Sequence, residues 1–161
     1  MEQNQEYKDK LLQFELFSGL DHEPDALREL LSLMKAESFN LRDFIINEKE
    51  SDSRMFFLLS GQVEINKSDQ AGQIVVIAKT DAQSRPYFGE SVLFGYFARS
   101  ASVVAHSRCE CLSLSAQDFD QFMKKYPYAV ANFYRHLSKV MFDRLSKATK
   151  DIFIASLALK K

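Results

Sequence analysis

Apolar side chains recur at helical spacing in two stretches near the start of the chain, residues 6–17 and 24–35. Pro24 opens the second, where its fixed φ and missing N–H suit a first helical turn. From Glu37 to Ser115 the period changes to short β-rich runs, at residues 39–41, 44–46, 55–59, 63–65, 74–78, 101–105 and 111–114. Turn-prone pairs and triplets separate them, notably Ser60-Gly61 and Gln70-Ala71-Gly72. Beyond Ser115 the helical period returns, over 117–126 and then, past Pro127, in one segment reaching about Leu159. Ser115 and Asp118 have the spacing of a helix cap. The pattern predicts an α+β, mainly β chain: an antiparallel β-roll of jelly-roll type between N-terminal helices and a long C-terminal helix. One domain over 1–161 is expected, with helices in 1–36, the roll in 37–115 and the closing helices in 116–161.

On the last helix, Leu137, Met141, Leu145, Ala148, Ile152, Ala155 and Leu159 recur at intervals of three and four and form an apolar seam. The first half of that seam is expected to pack on the roll. The second half outruns so small a roll, which predicts a parallel homodimer through a partner helix.

Composition narrows the choice of partner. A formal net charge of −1 and a pI near 6.3 argue against a broad nucleic-acid footprint, so no DNA partner is expected. No apolar run approaches the roughly 20 residues needed to span a bilayer, and the opening Met1-Glu2-Gln3 lacks the layout of a signal peptide. These features predict a cytoplasmic protein with no membrane partner. Cys109 and Cys111 lie two apart, on the same face of any strand, which suits buried thiols better than a disulfide framework or a metal site. His22, His106 and His136 sit in unrelated segments with no nucleophile–base motif, so neither an enzyme nor a cofactor or metal requirement is expected.

The stretch from Tyr87 to Val103 carries the chemistry. Gly89-Glu90 opens a short segment, 90–94, that suits one turn of helix after a strand. Its first amides would face an anion, and Gly89 allows close backbone approach. Arg99, nine residues after Glu90, can fold back to the same place as a charge-assisted donor to phosphate, with Ser100 adding a hydroxyl. A Glu90 carboxylate turned slightly aside would accept a sugar hydroxyl. The expected ligand is a phosphate beside a ribose.

Phe88-Gly89-Glu90 followed, after that spacing, by Arg99-Ser100-Ala101 resembles the phosphate-binding cassette of the cyclic nucleotide-binding domain family, of the catabolite activator and cAMP-dependent kinase regulatory type. Leu16-Phe-Ser-Gly-Leu20, Phe56-Phe-Leu-Leu-Ser-Gly-Gln-Val-Glu-Ile65 and Leu114-Ser-Ala-Gln-Asp-Phe119 extend the resemblance over nearly the whole chain. It implies a cassette over 88–101, with Phe88, Gly89, Ser91, Val92 and Ala101 around the cyclic phosphate. Glu90 is implied on the ribose 2′-hydroxyl, and Arg99 and Ser100 on the phosphate. Val92 stands where the family usually has Ala or Gly, which would crowd the phosphate. Ser100 directly after the arginine is similar to the cAMP-responsive members, whereas Thr there is common in those preferring cGMP. Set against the activators' long helix, Arg144 falls where it reaches Glu90. Thr149, or Ser146 or Lys147 a turn earlier, falls where it meets the adenine edge. The implied function is a cAMP-sensing regulatory domain that signals through its C-terminal helix to a protein effector. The sequence leaves open a cyclic dinucleotide ligand, a non-binding dimerisation module, and the sensor piece of a transcription factor.

Overall fold

The computed structural model describes residues 2–96 and 98–158. Its elements in chain order are α1 (Glu2–Leu11), α2 (Pro24–Leu33), β1 (Lys35–Phe39), β2 (Phe44–Ile46), β3 (Arg54–Ser60), β4 (Gln62–Ser68), β5 (Ile74–Asp81), β6 (Tyr87–Phe88), β7 (Ser102–Ala105), β8 (Cys109–Ser115), α3 (Ala116–Lys125) and α4 (Pro127–Ala158). The strands form two antiparallel four-stranded sheets, in the orders β1-β8-β3-β6 and β2-β7-β4-β5. This is the predicted roll between helical ends.

The cause is clearest in β3. Met55, Phe56, Phe57, Leu58 and Leu59 are all buried, because alternate side chains serve two different cores. Phe56 and Leu58 join Ile45, Ile46, Val63, Phe88, Val103 and Ala105 between the sheets. Met55, Phe57 and Leu59 face the helices, where Phe57 meets Phe14 and Phe17, and Phe17 meets Phe133 on α4. Strand β8 divides in the same way. Cys109 and Cys111 share one face and point, as free thiols, into the inter-sheet core; Leu112 and Leu114 point to the helices. Burial pushes the thiol pKa of both cysteines up. Gly61 closes the β3–β4 hairpin at φ +95°, and a Cβ there would lie 2.4 Å from the Arg108 carbonyl oxygen, so glycine is required.

Several boundaries differ from the periodic reading. The first helix ends at Leu11, and residues 15–17 and 20–22 are 3₁₀ turns that tuck Leu16, Phe17 and Leu20 into the core. Helix α2 stops at Leu33, Met34 is extended, and the first strand is 35–39 rather than 39–41, so the roll begins before Glu37. The two-residue strand β6 is too short to show a period. As expected, the Ser115 hydroxyl caps α3 by accepting from the Asp118 amide at 3.0 Å.

Helix α4 starts at Pro127 and runs 32 residues. Val130, Phe133 and Leu137 are buried against the domain, whereas every described residue after Met141 is exposed. The seam therefore divides at Met141. Leu145 and Ile152 stand in solvent, 65% and 70% exposed, and Leu159 lies outside the described residues. Among the described residues no helix is long and apolar enough to cross a membrane.

Candidate functional site

Strand β6 pairs with β3 through Phe56↔Phe88 and Phe57↔Tyr87, which fixes the entry to the chemically loaded stretch. The chain then turns at Gly89, in the left-handed region at φ +80°, into a 3₁₀ segment over Glu90–Phe94 closed by Gly95. This is the predicted turn of helix, wound more tightly. An isolated bridge, Ser51↔Ala98, next lays the returning chain beside the segment leading into β3. Those two anchors aim Arg99 at the turn that Gly89 makes.

The Arg99 side chain is 2% exposed. Its Nη2 donates to the Arg54 carbonyl oxygen at 2.7 Å, and its Nη1 makes a long contact, 3.4 Å, with the Gly89 carbonyl oxygen. Asp52 stands 3.6 Å from Nη2 as counter-charge. The Nε is buried and has no hydrogen-bond partner among the described residues. Burial lowers the Arg99 pKa, and Asp52 partly offsets that. Asp52 is shared: Arg54 holds it through Nε and Nη2, and its Nη1 reaches both Glu37 oxygens at 2.8 and 2.9 Å. Burial pushes the Asp52 carboxyl up, but the hydrogen bonds and charge of Arg54 outweigh it and hold the pKa below the usual value. Gly89 is needed for this packing, since a Cβ would lie 2.3 Å from Arg99 Nη1 and 2.9 Å from the Arg54 oxygen.

Arg99, Gly89 and Glu90 line a cavity of about 440 Å³, a size suited to a small ligand. Phe88, Ser91, Ser100 and Ala101 also line it, together with apolar Ile46, Ile65 and Val103 and with Met141 and Arg144 of α4. Glu90 accepts from Arg144 Nη1, and the Arg144 guanidinium carbon lies 5.5 Å from the Tyr87 ring centroid. The Tyr87 hydroxyl is buried without a hydrogen-bond partner among the described residues, and burial pushes its pKa up to about 12.

Eight of the ten residues singled out in the sequence thus line one cavity: Phe88, Gly89, Glu90, Ser91, Arg99, Ser100, Ala101 and Arg144. Val92 and Thr149 do not. Val92 turns away into the helical core, 2% exposed beside Leu93, so its bulk does not enter the cavity. Thr149 is exposed on α4, and its hydroxyl donates to the Leu145 carbonyl oxygen at 2.9 Å. None of the three histidines lines the cavity. Among the described residues, no three or more His, Cys, Asp or Glu side chains are placed to hold a metal.

Sequence reasoning missed Asp52, the Ile46–Ile65–Val103 wall, Tyr96 and the site position of Met141. Asp52 has no periodic signature, because only tertiary packing brings it to Arg99. Met141 was visible as an apolar seam position, but its place at the cavity depends on where α4 crosses the roll. A larger groove of about 580 Å³ lies between α1 and α2, but its Arg28 and Asp21 side chains are exposed and engage neighbouring surface residues.

The roll thus sets a buried arginine behind a glycine turn in the wall of a ligand-sized cavity. Residues 36–126, more than half of the chain, match the cyclic nucleotide-binding domain family, and the chain belongs to it. It is 29% identical to mouse (Mus musculus) cGMP-dependent protein kinase 2 over 119 residues, covering 73% of this chain and 15% of the kinase. It is 30% identical to the mouse potassium/sodium hyperpolarization-activated cyclic nucleotide-gated channel 2 over 139 residues, covering 84% of this chain and 14% of the channel. The chain thus spans about one-seventh of the length of these relatives. Among solved structures, a cyclic nucleotide-binding domain from Methylobacillus flagellatus superposes with a TM-score of 0.77 at 22% identity, covering 94% of this chain and 83% of that one. That likeness concerns the fold.

Proposed function

We propose that this domain is a cytoplasmic sensor of a cyclic mononucleotide, cAMP in preference to cGMP, and that it regulates a protein effector through α4. The observation that carries the reading is Arg99: a cation 2% exposed, with a buried Nε lacking any partner among the described residues, at the wall of a ligand-sized cavity. A buried donor left unpaired is costly. An anionic phosphate would supply the missing acceptor, with Ser100 beside it. Glu90 is then the acceptor for the ribose 2′-hydroxyl, in exchange for or alongside its contact with Arg144. Ser100, rather than Thr, supports the preference for cAMP.

The signal path in this reading is short. Arg144 and Met141 line the cavity and belong to α4, so a ligand that alters the Glu90–Arg144 pair changes how the helix is held. The apolar side chains that α4 exposes beyond Met141 support a homodimer through that helix. Calorimetric titration with cAMP, cGMP and a cyclic dinucleotide tests the ligand. One site for cAMP with weaker binding of cGMP is expected, and a melting temperature that rises with ligand concentration. No heat and no thermal shift with any of the three would refute the reading.

A further inference from the structure

We propose that a second cavity, which shares Tyr87 and Arg144 with the first, binds a phosphate monoester, and that Arg144 couples its occupancy to the first. This cavity, of about 400 Å³, is lined by residues 13–16, the 84–86 turn before β6, and His136, Val140 and Arg144 of α4. Phe14, Leu16 and Val140 give it apolar surface, and Arg85, Arg144 and His136 make it basic. Glu15 is the one carboxylate among the described residues that line it; its side chain is 75% exposed and stands 3.8 Å from His136 Nδ1. The volume suits a small organic ligand rather than a bare ion.

Arg85 is the fixed donor of this site. Its backbone lies in the left-handed region at φ +50°, where a side chain persists only when its surroundings hold it. The guanidinium is held at both ends: Nη1 donates to the Ala82 carbonyl oxygen and Nη2 to Gln13 Oε1. Those bonds use two of its five N–H donors and keep the group at the cavity wall. Arg144 brings a second guanidinium, set over the Tyr87 ring. A carboxylate has two acceptor oxygens, enough for one such fork. The three terminal oxygens and double charge of a phosphate monoester serve two arginines, and its organic part covers the apolar surface.

Arg144 is also the link between the cavities, because it lines both and donates to Glu90 in the first. A phosphate group in the second cavity draws the guanidinium from Glu90 and leaves that carboxylate to accept the ribose hydroxyl. Two ligands that favour the same position of Arg144 bind cooperatively, by the same factor in either order. The coupling rests on the cyclic nucleotide reading; the second site does not.

Phenyl phosphate serves as the probe, titrated by calorimetry into the full chain. Without cyclic nucleotide, the parent should bind it at one site, and Arg85→Gly, which suits the left-handed backbone, should bind it about tenfold more weakly or worse. Arg99→Leu should bind it like the parent. With the probe at saturation, the parent's affinity for cAMP should rise about fivefold, and that of Arg85→Gly by less at the same probe concentration. No binding of phenyl phosphate to the parent, or equal binding by parent and Arg85→Gly, overturns the second site. Weakened binding in Arg99→Leu places the probe in the first cavity and overturns it equally. Binding that needs Arg85 but leaves cAMP affinity unchanged overturns the coupling. A parent that takes phenyl phosphate through Arg85 and no cyclic nucleotide refutes the cyclic nucleotide reading and the coupling with it, while the second site stands.

Discussion

Gly89→Ala is the substitution whose effect can be worked most fully from the structure. At φ +80° an L-residue carries a conformational penalty of about 1–2 kcal/mol. The added methyl would also sit 2.3 Å from Arg99 Nη1 and 2.9 Å from the Arg54 carbonyl oxygen. The carbonyl belongs to β3, whose Arg54↔Ser115 pairing holds it in place, so the guanidinium must give way. Moving it weakens the 2.7 Å bond to Arg54 and the approach to Asp52, a loss of about 1–2 kcal/mol for a buried donor. The expected total is about 2–4 kcal/mol, or a fall in Tm of roughly 5–15 °C for a chain of this size. Gly72→Ala is the matched control: φ is +81°, but nothing lies within 4 Å of its Cβ, so it carries the backbone penalty alone. Thermal melts followed by circular dichroism measure both. Gly89→Ala should melt several degrees below Gly72→Ala and lose its thermal response to cyclic nucleotide. Coincident melts would show that Arg99 is not packed against Gly89 as described.

Thr149→Ala should leave the cAMP titration unchanged, since that hydroxyl is spent on its own helix; a weakening of about 1 kcal/mol would restore the base contact expected from the sequence. Truncation after Arg144 removes Leu145, Ile152 and Phe153, and light scattering should report a dimer for the intact chain and a monomer for the shortened one; a monomeric intact chain at high micromolar concentration would refute the helix-mediated dimer. Because the Asp52 carboxyl titrates below its usual value in the folded state, the unfolded chain takes up that proton first on acidification. Its contribution is therefore present above about pH 4 and lost as the pH falls through the folded value, so urea stability should decline over that window and decline less steeply in Asp52→Asn. An identical slope in the two proteins would contradict the Asp52–Arg54–Arg99 network.

The sequence made the class of fold legible because its signals are local. The switch from helical to strand period, Pro24 and Pro127 at helix starts, the Ser115 cap and the Ser60-Gly61 hairpin all act within a few residues. The same holds for Gly89, Glu90 and Arg99, whose spacing reflects one continuous turn and return. What failed depends on distant packing. Helix propensity could not show that Met34 breaks to the extended state because β1 must pair with β8, nor that β6 exists, since two residues gain strand geometry only from β3. The family resemblance implies Val92 at the cyclic phosphate, whereas the 3₁₀ turn directs its side chain to the helical core. Thr149 was placed by alignment along a helix whose crossing point is set by Phe133, Leu137 and the roll beneath them.

The central claim is that Arg99 is the phosphate receptor, and Arg99→Leu tests it most directly. Asp52 keeps Arg54 as a partner in this variant, so the fold should survive, as a cooperative thermal melt would verify. Calorimetric titration of parent and variant with cAMP should then show binding by the parent and a loss of about 3 kcal/mol or more in the variant, a factor of at least a hundred. A folded Arg99→Leu protein that binds cAMP as tightly as the parent would place the phosphate elsewhere and contradict the account.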